Sequence, residues 1–344
     1  MTPFPSDVGV AIISHNSRER LAPTIASLDW AGCPRSVIRV FDVASTDGTI
    51  EWVATAFSDI TVVRLDRNDG PNPARNLSIR ECPFPYVFLM DADVRVQPET
   101  IQRLRAAMQA DSTIKIGSPI VVHLEAPGTI QYAGTNLHFI CEAINPWRNR
   151  TLAERGPAPI DIGVAAASGL LLDRQASIDI GLFDERYFMG KDDGDFTHRM
   201  RMAGYRIREL PDALVLHDHQ KGRSTWLFYY QIRNRWHFML KNYQLRTLIL
   251  MLPCLAVHES LQLVLLHLKG HAIAYWRAVA GLLAMLPSLP RDRAFTNRIR
   301  AVPDVALLRS DRLIVREDLA SSSLMRAGQG LYEGFLRGYW RLIS

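Results

Sequence analysis

The residues of this 344-residue chain best suited to chemistry are two carboxylates one residue apart, Asp91 and Asp93, which end the apolar run Tyr86-Val87-Phe88-Leu89-Met90. Such a run reads as a buried strand. A strand of that kind delivers both carboxylates to its carboxyl end, the edge where ligands bind in an open α/β sheet. Paired hard oxygen ligands there suit a divalent cation, Mn2+ or Mg2+, carrying a diphosphate. The spacing alone decides little. With 35 acidic residues in 344, a carboxylate-x-carboxylate triplet arises about three or four times by chance if residues are placed independently. Whether this copy is a site or a solvated turn depends on the elements that position it.

Those elements alternate. Residues 8–13 form an apolar run that ends in Ser14-His15-Asn16, and Leu21, Ile25 and Leu28 follow at helical spacing over 20–28. A second run, 37–41, ends at Asp42, and Ser45-Thr46-Asp47-Gly48-Thr49 supplies turn and capping residues ahead of a helix over 50–57. Residues 60–65 give a third strand, Asn68-Asp69-Gly70-Pro71 a turn, and 73–80 a short helix with proline in its first turn. The fourth strand carries Asp91 and Asp93, with a helix over 98–110 behind it. Four strand-helix units predict an α/β fold, a mainly parallel doubly wound sheet with right-handed crossovers.

Composition narrows the function. An apolar fraction of 48% with 22% charged residues is that of an ordered globular protein. The formal charge of +5 fits an acidic partner, but no Lys/Arg block marks a nucleic-acid footprint. Cys33, Cys82, Cys141 and Cys254 are scattered without a Cys-x-x-Cys pair, and no secretory segment follows Met1. Neither zinc nor a disulfide framework is indicated, and the reducing cytosol is the expected compartment. A dinucleotide-binding dehydrogenase would place Gly-x-Gly-x-x-Gly after the first strand, where the backbone approaches a pyrophosphate. Ser14-His15-Asn16-Ser17-Arg18 stands there instead, and no phosphate loop ending in Gly-Lys-Ser/Thr occurs. The strand ends offer polar side chains, Asn16, Asp42, Asp91 and Asp93, able to read a base and ribose while a metal takes the phosphates.

These residues carry a resemblance to the family 2 glycosyltransferases of the GT-A fold, in their bacterial rhamnosyltransferase-like branch. Residues 10–16 resemble the family's first strand and Ser-Tyr-Asn loop, with His15 in place of tyrosine. Asp42-Val43-Ala44-Ser45-Thr46-Asp47-Gly48-Thr49 resembles Asp-Asn-x-Ser-x-Asp-Gly-Thr, with Val43 where Asn is common. Asn68, Gly70, Ala74, Arg75 and Asn76 keep the Asn-x-Gly and Ala-Arg-Asn segment. The resemblance implies donor binding by Ser14, Asn16, Asp42, Arg75, Asp91 and Arg233, with Asp42 on the base, Asp91 on the ribose and Asp93 on the metal.

The segment Gly181-Leu182-Phe183-Asp184-Glu185, continuing through Phe188 and Asp192-Asp193-Gly194-Asp195-Phe196 to Arg199, is similar to the family's Gly-x-Phe-Asp-Glu … Glu-Asp-x-Asp-Leu pattern. Asp192, Asp193 and Asp195 open an amphipathic helix with Phe196, Met200 and Ala203 on one face, and the helix dipole alone could explain all three as caps. Sugar transfer also needs a base for the acceptor hydroxyl. The match with the family motif selects Asp193, expected to be ionised at neutral pH, and leaves Asp192, Asp195 and Arg199 to the acceptor loop. Residues 161–172, around Ser168-Gly169, resemble the strand and glycine turn under the bound sugar, although Gly169 could equally mark a bulge. His217 stands where related enzymes use a further metal ligand, with a structural histidine as the alternative. Lys221-Gly222-Arg223-Ser224 is a basic turn suited to a diphosphate lid. Residues 229–236 resemble the Tyr-Tyr … Arg-Asn segment of the non-processive branch, being one residue too long for the processive Gln-x-x-Arg-Trp motif, an error of about 100° on a helix.

Residues 1–242 are therefore read as the catalytic domain and 243–344 as a helical, membrane-associating region. The apolar stretch 248–268 is interrupted by Pro253, His258, Glu259, Gln262 and His267, and 272–286 is short and contains Arg277, which argues against a clean span. Helices in the interface of the inner leaflet fit, as does a buried hairpin or dimer contact. Arg291, Arg293, Arg298, Arg300, Arg309, Arg312 and Arg316 make the tail basic, and 331–343 is amphipathic. The expected protein is an inverting, metal-dependent glycosyltransferase with a nucleotide-sugar donor and a glycan or lipid-linked acceptor, cytoplasmic and peripherally attached to the membrane. A nucleotidyltransferase would want a glycine- and lysine-rich first loop, and a non-catalytic scaffold would not need Asp91, Asp93 and Asp193. Sugar, base, acceptor and oligomeric state stay open.

Overall fold

A computed structural model describes residues 2–218, 226–313 and 323–344, with only the backbone described for 323–327. The basic turn Lys221-Gly222-Arg223-Ser224 and Arg316 lie outside the described residues. The chain forms two compact units, one of residues 1–134, 147–201 and 205–222, the other of 135–146, 202–204 and 223–344. The division thus falls near 222 rather than 242.

The first unit begins with β1 (Val8–Ser14), α1 (Arg18–Trp30), β2 (Ile38–Val43), α2 (Thr49–Ala56), β3 (Thr61–Leu65), α3 (Pro71–Glu81) and β4 (Tyr86–Asp91). Then come β5 (Val94–Val96), α4 (Thr100–Ala110), β6 (Ile114–His123) and β7 (Ala126–Tyr132). After the small pair β8 (Asn136–Leu137) and β9 (Ala143–Ile144) of the second unit, α5 (Leu152–Arg155), β10 (Ile160–Asp161), β11 (Gly169–Asp173), α6 (Arg174–Asp179), α7 (Asp192–Met202) and β12 (Arg206–His217) complete it.

Sheet order is β10-β12-β6-β11-β4-β1-β2-β3. The four strands β3, β2, β1 and β4 are parallel, and β1 is buried along its whole length. That explains its unbroken apolar run, since helices cover both faces of a parallel sheet. Beyond β4 the sheet is mixed: β11 runs antiparallel to both β4 and β6, β12 lies parallel to β6, and β5 pairs antiparallel with β12. Period-2 patterning cannot order strands separated by long connections, so only the parallel half follows from strand-helix alternation.

The second unit holds α8 (Trp226–Asn242), α9 (Leu245–Leu268), α10 (Ala272–Met285), α11 (Leu289–Ile299), α12 (Asp304–Leu307) and α13 (Ser323–Ile343). Ile232, Leu266, Tyr275 and Ala278 form a buried cluster, and within it Arg235 of α8 pairs with Glu259 of α9, which also accepts from Tyr275 at 3.1 Å. Two tail arginines serve the fold. Arg293 donates to the carbonyls of Leu240 and Tyr243, and Arg300 to Asn242 and Asp304, satisfying the last carbonyls of α8. They are not spare surface charge for a lipid headgroup. Outward, Leu245, Ile249, Leu252 and Val264 of α9 are more than half exposed.

Candidate active site

The turn at the end of β4 is fixed before its side chains act. Ala92 N–H donates to Ile13 (3.0 Å), Thr24 of α1 donates to the Ala92 carbonyl (2.7 Å), and Asp218 N–H donates to the Asp93 carbonyl (3.0 Å). The register Ser14↔Asp42 and Ile13↔Asp91 puts Ser14, Asp42 and Asp91 at the carboxyl ends of three adjacent parallel strands.

Three carboxylates converge on Arg75 of α3. Its Nη2 donates to Asp91 Oδ1 at 3.2 Å, and its Nη1 to Asp192 Oδ2 at 2.9 Å and Asp193 Oδ1 at 3.4 Å. With 6% of its side chain exposed, this guanidinium loses hydration, yet Asp91, Asp193 and Asp192 raise its pKa above the ordinary arginine value. Arg75 therefore ties the two acidic segments together through Nη1 and Nη2, and Nη1 also donates to Asn72 Oδ1 at 3.2 Å.

The same helix holds the segment that leads to α7. Asn72 donates to the Tyr187 carbonyl at 2.6 Å, while Asn76 donates to the Phe183 carbonyl (2.9 Å) and accepts from the Phe183 N–H (2.8 Å). Gly70, at φ +91°, lies so close that a Cβ would stand 2.7 Å from the Phe188 carbonyl oxygen. Only glycine fits there.

At the opposite side of Asp91, the ends of β4 and β12 bring Asp93 and His217 together. His217 Nε2 lies 3.5 Å from Asp93 Oδ1, and Nδ1 lies 2.8 Å from Gln131 Oε1. An amide oxygen accepts, so Nδ1 carries a proton and the neutral ring turns its Nε2 lone pair toward a carboxylate oxygen. Asp93 Oδ1 is buried without a hydrogen-bond partner. Burial works to lower the His217 pKa, but Asp93, Asp91 and Asp218 together raise it above the ordinary value. In the absence of a cation these carboxylates favour the protonated ring, whose Nε2–H faces Asp93; deprotonated, Nε2 and Asp93 Oδ1 are two ligand atoms that could hold a cation in place of that proton. Among the described residues no set of three His, Cys, Asp or Glu side chains forms a metal cluster, so any ion here would draw its other ligands from substrate phosphate or water. Arg20, which sequence reasoning passed over, reaches Asp93 Oδ2 at 3.9 Å and Asp218 at 3.5 Å.

Residues 9–169 match the description Glycosyl transferase family 2. Over 226 residues the chain is 28% identical to a pre-mycofactocin glycosyltransferase of Mycobacterium tuberculosis, covering 65% of this chain and 45% of that one. It thus spans less than half of that relative. Over 287 residues it is 25% identical to the N-acetylglucosaminyl-diphospho-decaprenol L-rhamnosyltransferase of the same organism, covering 74% of this chain and 94% of that one. The chain carries a family 2 glycosyltransferase domain. A mannosyltransferase from Pyrobaculum calidifontis, solved with GDP-Man and Mn2+, superposes with a TM-score of 0.52 at 17% identity over 98% of this chain and 86% of that one, which shows the GT-A fold alone.

The expected site residues divide by environment. Asp193 keeps 32% side-chain exposure and accepts from the Ala167 N–H at 3.1 Å. Desolvation and the neighbouring Asp192 push it up to about 7, against the pull of Arg75. The burial and the like charge of Asp192 thus oppose the carboxylate form expected from the helix N-terminus and a nearby cation. Asp192 is buried on Arg75, and Asp195 is bound through two nitrogens of Arg199 (3.0 and 2.8 Å), whose other donors reach the Ile180 and Leu182 carbonyls. Asp195 and Arg199 lock α7 to the segment before it.

The β1 and β2 loops are tied to each other. Asp42 is fully buried, and Ser45 occupies both its oxygens, through Oγ (2.5 Å) and N–H (2.9 Å). It builds the loop. Asn16, in a left-handed conformation, accepts from the Thr46 N–H at 2.8 Å. His15 Nδ1 donates to the Val43 carbonyl at 2.6 Å, so the two residues that depart from the family motif are bonded to each other. The buried Ser14 Oγ has no protein partner. Gly169 is neither turn nor bulge: it opens β11 opposite Met90, and a Cβ there would meet Val215 only at ordinary contact distance, 3.4 Å. Arg233 belongs to the second unit, on α8.

Proposed function

We propose that this glycosyltransferase is inverting and depends on a divalent cation, moving a sugar from a nucleotide-diphosphate donor to a glycan or lipid-linked acceptor in bacterial surface-glycan synthesis. The observation that carries the reading is the pairing of Asp93 Oδ1 with His217 Nε2 on the strand-end edge that also holds Asp91 and Asp193. A divalent cation held by Asp93 and His217 would neutralise the diphosphate, whose charge the carboxylates here would otherwise repel. Asp193, on the accessible side, takes the proton of the acceptor hydroxyl as its oxygen bonds to the anomeric carbon and the nucleotide diphosphate departs. A single displacement of that kind inverts the anomeric centre. The mycobacterial rhamnosyltransferase, whose name specifies a diphospho-decaprenol acceptor, supports a lipid-linked acceptor here.

Attachment to the inner face of the cytoplasmic membrane is part of the same proposal. The helix Leu245–Leu268 is long and apolar enough to cross a membrane, with 17% of its most apolar window buried. Glu259 and Arg235 are paired within the second unit, so the outward face is largely apolar while the charges are turned inward. That pattern suits a helix lying in the interface.

The test is a panel of nucleotide sugars scored by thermal unfolding with and without Mn2+, because a ligand that binds only the native state raises its melting temperature. A donor whose protection requires Mn2+ is expected. Protection by no nucleotide sugar, or protection unchanged by chelation, would overturn the reading.

A further inference from the structure

The strand that carries Gln131 is irregular at that residue. Tyr132 of β7 lies opposite Val121 of β6 and Ile130 lies opposite Val122, so Gln131 is the extra residue of a β-bulge. Side chains alternate between the two faces of a regular strand, yet Ile130 and Gln131 are both buried, at 0% and 4% exposure. The bulge breaks the alternation and re-aims the second side chain. Its amide oxygen lies 2.8 Å from His217 Nδ1 at the end of β12.

The surroundings hold the bulge in that shape. Ile130 N–H donates to the Arg150 carbonyl and the Ile130 carbonyl accepts from Asn149 N–H, both at 2.8 Å. Ile130 and Leu216, the residues just before Gln131 and His217, pack in one buried cluster with Ile120 and Val122. Each member of the pair is thus anchored by its chain neighbour. An imidazole can rotate about its bond to Cβ and present either nitrogen, and here Nε2 is the one that faces Asp93 Oδ1, at 3.5 Å. An amide oxygen on Nδ1–H favours that rotamer whether Nε2 carries a proton or a cation.

We propose that Gln131 is a positioning residue of the cation site: the bulge in β7 aims its amide oxygen at Nδ1–H of His217, so that Nε2 is the nitrogen offered to a divalent cation beside Asp93. The inference rests on the metal reading given above, and it adds to that reading a residue that touches neither cation nor donor and acts through the ring.

The experiment uses the full chain and Mn2+ alone, titrated by calorimetry. Gln131→Leu removes the acceptor at similar volume and should weaken Mn2+ binding about 10–100-fold, the usual worth of an outer partner of a ligating histidine. Gln131→Glu, which keeps an acceptor oxygen in that place, should retain most of the affinity, and Gln131→Met is the second apolar variant should Gln131→Leu fail to fold. In the His217→Ala background, Gln131→Leu should change Mn2+ affinity no further, because a residue that acts through the ring then has nothing to act on. A residue that only supports the fold would weaken binding in both backgrounds. Nitrogen NMR of the parent imidazole, with diamagnetic Cd2+ in place of Mn2+, reads the ring directly: the proton is expected on Nδ1 and the metal on Nε2. Metal on Nδ1, undiminished affinity in Gln131→Leu, or an equal loss in the His217→Ala background would overturn the proposal. If His217→Ala weakens Mn2+ binding and Gln131→Leu does not, only the role of Gln131 falls, whereas Mn2+ binding that His217→Ala leaves unchanged counts against the metal reading itself and takes the proposal with it.

Discussion

Asp93 Oδ1 and His217 Nε2 face each other across 3.5 Å, one at the end of β4 and the other at the end of β12. Without a cation the carboxylate favours the protonated imidazole, and a cation held by the pair would take the place of that proton. Asp93→Asn should therefore weaken Mn2+ and donor binding together, while His217→Ala should weaken Mn2+ binding with the melting temperature nearly unchanged. Calorimetric titration of Mn2+ and nucleotide sugar checks both. Full turnover of the parent protein in excess chelator would sink the metal assignment.

Arg75 is predicted to matter first for folding. Arg75→Met leaves Asp91, Asp192 and Asp193 without their shared cation, and breaking a buried charge pair in this way costs about 3–5 kcal/mol. Denaturant unfolding measures it, and adding Asp192→Asn to Arg75→Met should recover part of the loss. A donor-binding arginine would instead lose affinity at unchanged stability.

Gly70→Ala should cost more than about 1 kcal/mol, because the position has positive φ and because its new Cβ would stand 2.7 Å from the Phe188 carbonyl oxygen. Gly169→Ala, at ordinary contact distance, should be tolerated. Melting temperatures of the two variants separate a glycine required by geometry from one that is not.

How much of this was legible in sequence depended on distance along the chain. The parallel half of the sheet followed from apolar runs that end in polar residues, as at Ser14, Asp42 and Asp91, because strand and helix periods are local signals. The convergence on Arg75 was hidden: nothing in its spacing says that its guanidinium reaches past Asp91 to Asp192 and Asp193. Asn72, Thr24 and Gln131 carry equally plain sequence contexts, and their value appears only when the chain brings a backbone carbonyl or His217 to them. Nor does the spacing at Asp42 say that Ser45, three residues away, donates to both its oxygens.

The pH dependence follows from Asp193. Burial and Asp192 raise it to about 7, so the basic form grows in as pH rises. The value of kcat/KM should climb between about pH 6 and about pH 8. Stability moves oppositely: the folded state holds this proton more tightly than the unfolded chain, so the Asp193 contribution declines as pH rises from the ordinary 3.8 toward 7. A pH profile of kcat/KM flat across neutrality would contradict the shift.

The most direct test of the account is transfer by Asp193→Asn, which keeps the shape of the side chain and removes its basicity. With the Mn2+-dependent donor identified, the account predicts a fall of about two to four orders of magnitude in kcat, the usual worth of a general base. Donor affinity should stay nearly unchanged. Near-normal transfer by Asp193→Asn, with Asp192→Asn abolishing transfer at full donor affinity, would contradict it.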